Sequence, residues 1–361
     1  MTRAIILAAG FGSRLMPLTA SSPKGMVPLC GVPLLMRQIS VLRASGIHDI
    51  TIVGGYHEEA LYGLGYPVVR NAEYATTNMV ESLMRARHVL DGAADVLMCY
   101  GDIVYEPRVL ETVLSTQADI AITADLGWEK LWSARMENYA SDVETFKMHN
   151  GRIIELGKKP KDLKEVEAQY IGLVKFSAAA QSRVLAHYDA LDRNATYDTK
   201  NFDNMYMTSF LQGMIDAGFD VRPALIKNGW LEVDTLDDHT RYEALQREGK
   251  LAEICTLPAP VTLNELLKRP VLFDASNLDM LSRKLEIVGT LHKTYKGTKP
   301  AGDVATPEEA AMLLAQLLKA FDETKDYRYL NTVIKALSGT LKNPRPAWQA
   351  ELEQLVAERL S

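Results

Sequence analysis

Short apolar, β-branched runs alternate with amphipathic stretches through the first hundred residues, and that alternation constrains the fold more than any other feature. AIILA (4–8), DITIVGGY (49–56) and DVLMCYGD (95–102) read as buried strands, whereas PLLMRQISVLRASG (33–46) and NMVESLMRARHVL (78–90) carry apolar residues at helical spacing. A β-α-β-α-β order predicts a largely parallel sheet with helices on both faces. The expected fold class is therefore α/β, with a mixed, mostly parallel central sheet.

The pattern changes at LPAP (257–260), a linker signal, and only helical patterns follow it. These are 276–292, 306–321, 326–337 and 346–360, and Thr306 with Glu309 and Pro307 forms a capping-box start for the second. Two domains are expected, 1–256 and a helical 257–361. In the tail, cations and acids nearly balance, and Leu314, Leu317, Leu318 and Phe321 fall on one helical face that must pack on something. An oligomer contact, a lid or a dock for a partner enzyme would each use such a face.

Composition narrows the class of ligand. The 361 residues are 47% hydrophobic and 24% charged, with a net charge of −6 and a pI near 5.7. Nucleic-acid binding calls for clustered cations, so a small molecule is the better expectation. Cys30, Cys99 and Cys255 lack metal-ligand or CxxC spacing, and no run approaches the ~20 apolar residues of a membrane span. A cytoplasmic protein that binds neither nucleic acid nor membrane is expected.

Directly after the first strand comes LAAGFGSRLMPLTASSPK (7–24). Gly10 and Gly12 let the backbone turn tightly and aim amides at one point, which suits phosphate. Leu15 occupies the third glycine position of a dinucleotide fingerprint, and GxxxxGK[ST] is absent. A glycine turn with Arg14 and Lys24 supplies positive charge for a triphosphate. Asp102 ends a strand, where open α/β sheets hold their ligands, and a second carboxylate in WLEVDTLDD (230–238) could join it on a hard divalent cation.

Leu7, Ala8, Ala9, Gly10, Gly12, Arg14, Pro23 and Lys24 together resemble the signature of the sugar-phosphate and phosphocholine nucleotidylyltransferases, a superfamily with a Rossmann-like nucleotidyltransferase fold. NAEYATTNMVESL, YGD, GKKP, QYIGLVKFS, NFDNM and WLEVDTLDD recur in family order, so the resemblance spans roughly residues 1 to 250. It implies transfer of a nucleotidyl group from an NTP to a small phosphate or phosphonate, with Mg2+ as cofactor and pyrophosphate as leaving group. By resemblance, Arg14, Lys24 and Lys159 are catalytic, and Asp102 and Asp234 hold the metal. Leu7, Ala8, Ala9, Gly10, Gly12, Ser13, Gly55, Tyr56, Asn78, Ser82 and Asp102 bind the nucleotide. Asn78 reads equally as a plain helix cap. Lys158, Lys159, Tyr170, Phe202, Asp203 and Glu232 face the acceptor, and Lys158 could replace Lys159.

NMVESL, NFDNM and EVD are closest to the phosphocholine cytidylyltransferase branch, which implies CTP. A quaternary ammonium would call for an aromatic cage, with Trp128, Trp132, Tyr170, Tyr197, Phe202 and Tyr206 as candidates. Phe202 replaces the branch's tryptophan, which leaves aminoethylphosphonate-like or amino-acid phosphate acceptors open. Two other readings remain: a sugar-1-phosphate enzyme using UTP or dTTP, and a non-catalytic NTP-binding regulator.

Overall fold

The computed structural model describes residues 2–136, 138–139, 142–259, 307–338 and 347–360. The helical pattern at 276–292 and the cap residue Thr306 lie outside the described residues. The alternating runs form strands β1 (Thr2–Leu7), β2 (Ile50–Gly54), β3 (Val68–Arg70), β4 (Asp95–Tyr100), β5 (Ile120–Asp125), β6 (Gln169–Phe176) and β7 (Val221–Ile226). They make one sheet in the order β7-β5-β6-β4-β1-β2-β3. Every pairing is parallel except those of β6, which runs antiparallel to both β4 and β5. The sheet is thus mixed and mostly parallel; its alternating sequence implies the parallel part, and the reversed β6 makes it mixed.

Helices α1 (Leu34–Ala44), α2 (Met79–Arg85), α3 (Pro107–Ser115), α4 (Trp128–Arg135), α5 (Gln181–Ala190), α6 (Met207–Asp216) and α7 (Leu236–Arg247) surround it. Strand β1 supplies both cores by alternation. Ala4, Ile6 and Ala8 enter the cluster beneath α1 and α3, whereas Ile5, Leu7 and Ala9 enter the one containing α2 and α6. A strand buried on both faces has to be apolar throughout, which is why AIILA lacks a polar face.

The chain runs from β1 out to β2 and β3 and then returns past β1 to β4 on its other side, so β1 and β4 flank the point where strand order reverses. Leu7 lies beside Tyr100 in register, and the Gly101 N–H donates to the Leu7 carbonyl at 2.9 Å. The loops after these two strands therefore open onto one crevice, the usual ligand position in an open α/β sheet.

Beyond the sheet, Trp230–Glu232 pairs antiparallel with Ile103–Tyr105, which sets Glu232 beside Ile103. Buried Asp125 braces this ladder by accepting from Trp230 Nε1 at 2.9 Å and from the Gly127 and Asn228 amides at 2.7 and 2.8 Å.

Three tail helices, α8 (Pro307–Thr324), α9 (Tyr327–Ser338) and α10 (Ala347–Leu360), share an apolar cluster of their own. Leu314, Leu317, Leu318 and Phe321 are buried in it, as their common face requires. Helix α8 also packs on the turn Glu58–Leu64, and Ala315 enters the core of the sheet domain. Among the described residues no helix is long and apolar enough to cross a membrane. Replacing Asp125 by Ala strands three donors, one buried and two partly buried, and is expected to lower unfolding stability by about 3 kcal/mol in urea denaturation. Asp125→Asn keeps one acceptor oxygen and should cost clearly less.

Candidate active site

The loop after β1 is shaped by two close approaches. Gly12 adopts φ 64, and a Cβ there would lie 3.0 Å from Lys24 Cβ, so glycine is needed both for its handedness and to let the two ends of the loop touch. Thr19 Oγ1 donates to the Gly12 carbonyl at 2.9 Å and closes the loop. Gly55, at the end of β2, leaves room for the Ala9 carbonyl, which a Cβ would approach to 2.9 Å.

Lys24 emerges from this loop into the crevice. Its ammonium sits 2.5 Å from Asp102 Oδ2 and 2.6 Å from Asp234 Oδ1, while Arg14 reaches Asp234 Oδ2 at 2.7 Å. Burial alone would lower the Lys24 pKa, but Asp102, Asp234 and Glu232 outweigh it and the pKa rises, so the ammonium stays charged. Burial likewise opposes ionisation of Asp234, yet Lys24, Arg14 and Arg135 hold it below the usual carboxylate range.

Asp102, Glu232 and Asp234 each offer one carboxylate oxygen, all within 4.8 Å of one another. The ladder between Ile103–Tyr105 and Trp230–Glu232, with the Val233 N–H donating to the Asp102 carbonyl at 3.0 Å, brings them together across more than a hundred residues. Burial pushes the Glu232 carboxyl up to about 7, opposed by Arg135, with Asp102 and Asp234 adding repulsion and Lys24 relieving some of it. Oδ1 of Asp102 is buried and has no hydrogen-bond partner. A hard oxygen donor set with an orphaned oxygen and excess negative charge fits a divalent cation such as Mg2+.

Sequence reasoning missed the group that braces Glu232 and, through Asp238, Asp234. Arg135, 3% exposed, donates to Glu232 Oε2 at 2.6 Å and to both oxygens of Asp238 at 3.1 and 3.2 Å. Asp238 in turn accepts from the Asp234 and Thr235 amides at 3.1 and 2.9 Å and completes the α7 capping box. The box Thr235–Asp238 was readable in the sequence. Arg135 was not, because an arginine late in an amphipathic helix reads as a solvated cation.

Two cavities of about 320 and 430 Å³ meet at this cluster. The first is lined by Leu7, Ala8, Gly10, Gly12, Ser13, Arg14, Lys24, Asn78 and Asp102. Asn78 lines this cavity and its side chain also caps α2, accepting from the Met79 amide at 2.8 Å. Ala9, Gly55, Tyr56 and Ser82 stand behind that lining. Tyr56 donates its amide to Ala9 and its hydroxyl to the Ala20 carbonyl, each at 3.1 Å, and Ser82 accepts from Asn71.

The second cavity shares Arg14, Met79, Tyr100, Glu232 and Asp234 with the first and extends to Trp132, Asp142, Glu144, Gln169, Tyr170, Tyr206 and Thr208. Glu232, expected on the acceptor side, therefore borders both. Lys158 pairs with Glu155 at 3.3 Å, and exposed Lys159 acts electrostatically on Glu144; neither lines a described cavity. Phe202 is buried in the core against Tyr188, with its ring under Arg193, and Asp203 is exposed and accepts the Asn78 amide through its carbonyl. Of the candidate cage aromatics, Trp132, Tyr170 and Tyr206 face the cavity, whereas Trp128, Tyr197 and Phe202 do not. Glu144 gave no signal in the sequence, and Tyr100 stood out only as part of the YGD stretch.

Mg2+ titrated calorimetrically is expected to bind the full chain, and Asp102→Asn should weaken that binding at least about tenfold. Arg135→Met, which leaves Glu232 and Asp238 facing each other without their cation, should lower the melting midpoint by several degrees, with an expected loss of about 3 kcal/mol.

Comparison with known proteins fits this geometry. The family profile of the MobA-like NTP transferase domain matches residues 4–166. The chain is 44% identical over 244 residues to the CTP:phosphoglutamine cytidylyltransferase of Campylobacter jejuni, a match covering 65% of this chain and 96% of that protein. It is 28% identical over 194 residues to the 2-aminoethylphosphonate cytidylyltransferase of Lancefieldella rimae, covering 51% and 70%. The solved CTP:phosphocholine cytidylyltransferase from Streptococcus pneumoniae superposes with a TM-score of 0.51 at 20% identity, over 68% of this chain and 99% of that one, a likeness of fold. With Arg14, Lys24 and the carboxylate trio gathered at the reversal of strand order, the chain belongs to the nucleotidyltransferase family that includes the CTP:phosphoglutamine and phosphocholine cytidylyltransferases.

Proposed function

We propose that this enzyme transfers CMP from CTP to a small phosphorylated amino acid of the phosphoglutamine kind, releasing pyrophosphate. The observation that carries the reading is the junction of two cavities at one set of charges, in a chain so similar to a CTP:phosphoglutamine cytidylyltransferase. The first cavity takes the nucleotide and the second the acceptor. We further propose residues 1–256 as the catalytic unit, 257–361 as a helical appendage, and the cytoplasm as its site of action.

An acceptor phosphate is already an anion near neutral pH, so no general base is required. One of its oxygens attacks the α-phosphorus as the bond to the bridging oxygen breaks, and the electron pair leaves on pyrophosphate. Arg14 and Lys24 bind and orient the phosphates, and the closed glycine loop holds the triphosphate in line with the acceptor. Asp102, Glu232 and Asp234 would hold Mg2+, which supplies charge neutralisation to the phosphates when bound. Arg135 holds Glu232 directly and Asp234 by way of Asp238. At the far end of the second cavity, Asp142 and Glu144 favour an acceptor that carries an ammonium group. Trp132, Tyr170 and Tyr206 line only part of it, which favours a compact amino-acid group over a fully caged quaternary ammonium.

Pyrophosphate release should require CTP and Mg2+ and be fastest with a phosphorylated amino acid among a panel that includes phosphocholine, 2-aminoethylphosphonate and glucose-1-phosphate. Preference for glucose-1-phosphate with UTP or dTTP would overturn this reading in favour of a sugar nucleotide. CTP binding without release on any acceptor would favour a regulatory role. Lys24→Ala and Asp102→Ala are expected to reduce turnover about a thousandfold or more with unchanged circular dichroism.

A further inference from the structure

We propose that the helical tail is a positioning element for the nucleotide side of the site, acting through the turn Glu58–Leu64 on Tyr56 and thence on the loop after β1. The assignment of that loop to the nucleotide rests on the function proposed above.

The turn is packed from two sides. Ala60, Leu61 and Leu64 point into the core of the sheet domain, while Tyr62 packs against the tail cluster. Ala315 of α8 is fully buried in the same sheet-domain core, so the tail is seated on the body and not merely tethered to it. Next to the turn, His57 adopts φ 47, a left-handed reversal that leaves little slack between Glu58 and Gly55. A shift of the turn is therefore passed to Tyr56.

Tyr56 grips the phosphate loop at three places. Its amide donates to the Ala9 carbonyl and its hydroxyl to the Ala20 carbonyl, each at 3.1 Å, and its ring lies 4.2 Å from that of Phe11. Between residues 10 and 20 only Leu15 and Thr19 are anchored in the interior: Phe11 is 45% exposed, and Gly10, Ser13 and Arg14 are exposed as well. A segment with so few buried contacts depends on its tethers for order. Tightening it before the nucleotide arrives lowers the ordering cost of binding, whereas the acceptor cavity, which takes only Arg14 from this loop, is largely left alone.

The test uses the full chain with two independent lesions. Ala315→Arg places a long cation where α8 meets the body, and Tyr62→Ser removes the ring that packs on the tail. Hydrogen exchange of amides in 8–16 should quicken about tenfold in both, with β4 and β6 unchanged, and Tyr62→Phe should match the parent. Calorimetric affinity for CTP with Mg2+ should fall about tenfold, while kcat at saturating CTP and the KM for the acceptor stay within about twofold. Unchanged exchange in 8–16, or exchange accelerated equally throughout the sheet, would overturn the proposal. A parent chain that binds no CTP would instead sink the functional reading, and the exchange result would still decide the coupling.

Discussion

One ammonium, that of Lys24, lies between Asp102 and Asp234 and ties three distant parts of the chain to a common point. It comes from the loop after β1, Asp102 from the end of β4, and Asp234 from the segment before α7. Without a cation, carboxylates this close would repel one another. Lys24 and Arg14 from the loop and Arg135 from behind relieve that repulsion from opposite sides. The same positive groups that keep the acids together are those a triphosphate needs, so stability of the site and recognition of the ligand draw on one set of charges.

Much of this was legible in the sequence because it depends on local chemistry. A strand buried on both faces needs AIILA, a tight phosphate loop needs Gly12, and a carboxylate at a strand end follows from DVLMCYGD. The core face of the tail could be read from Leu314, Leu317, Leu318 and Phe321 in the same way. What could not be read was pairing between segments far apart. Nothing local says that Trp230–Glu232 will lie along Ile103–Tyr105, and this ladder puts Glu232 with the metal candidates as well as at the acceptor border.

Phe202 shows the opposite limit. An aromatic in a motif looks like a ligand-stacking ring, but burying it against Tyr188 and beneath Arg193 is also favourable, and only the three-dimensional path of the chain decides between the two. Arg135 was hidden for a similar reason. Its partners, Glu232 and Asp238, lie about a hundred residues away, and a buried arginine is tolerated only where such partners converge.

The reversed strand β6 has a wider effect on the architecture. Because it runs against its neighbours, its first residues, Gln169 and Tyr170, emerge at the edge where the parallel strands have their last ones. The rim of the crevice is thus written largely by two separate stretches of chain, an early one and a middle one, which under the proposed function meet the nucleotide and the acceptor respectively. Such a layout lets the middle stretch change its side chains freely without disturbing the chemistry at phosphorus, so that one catalytic frame can serve many head groups.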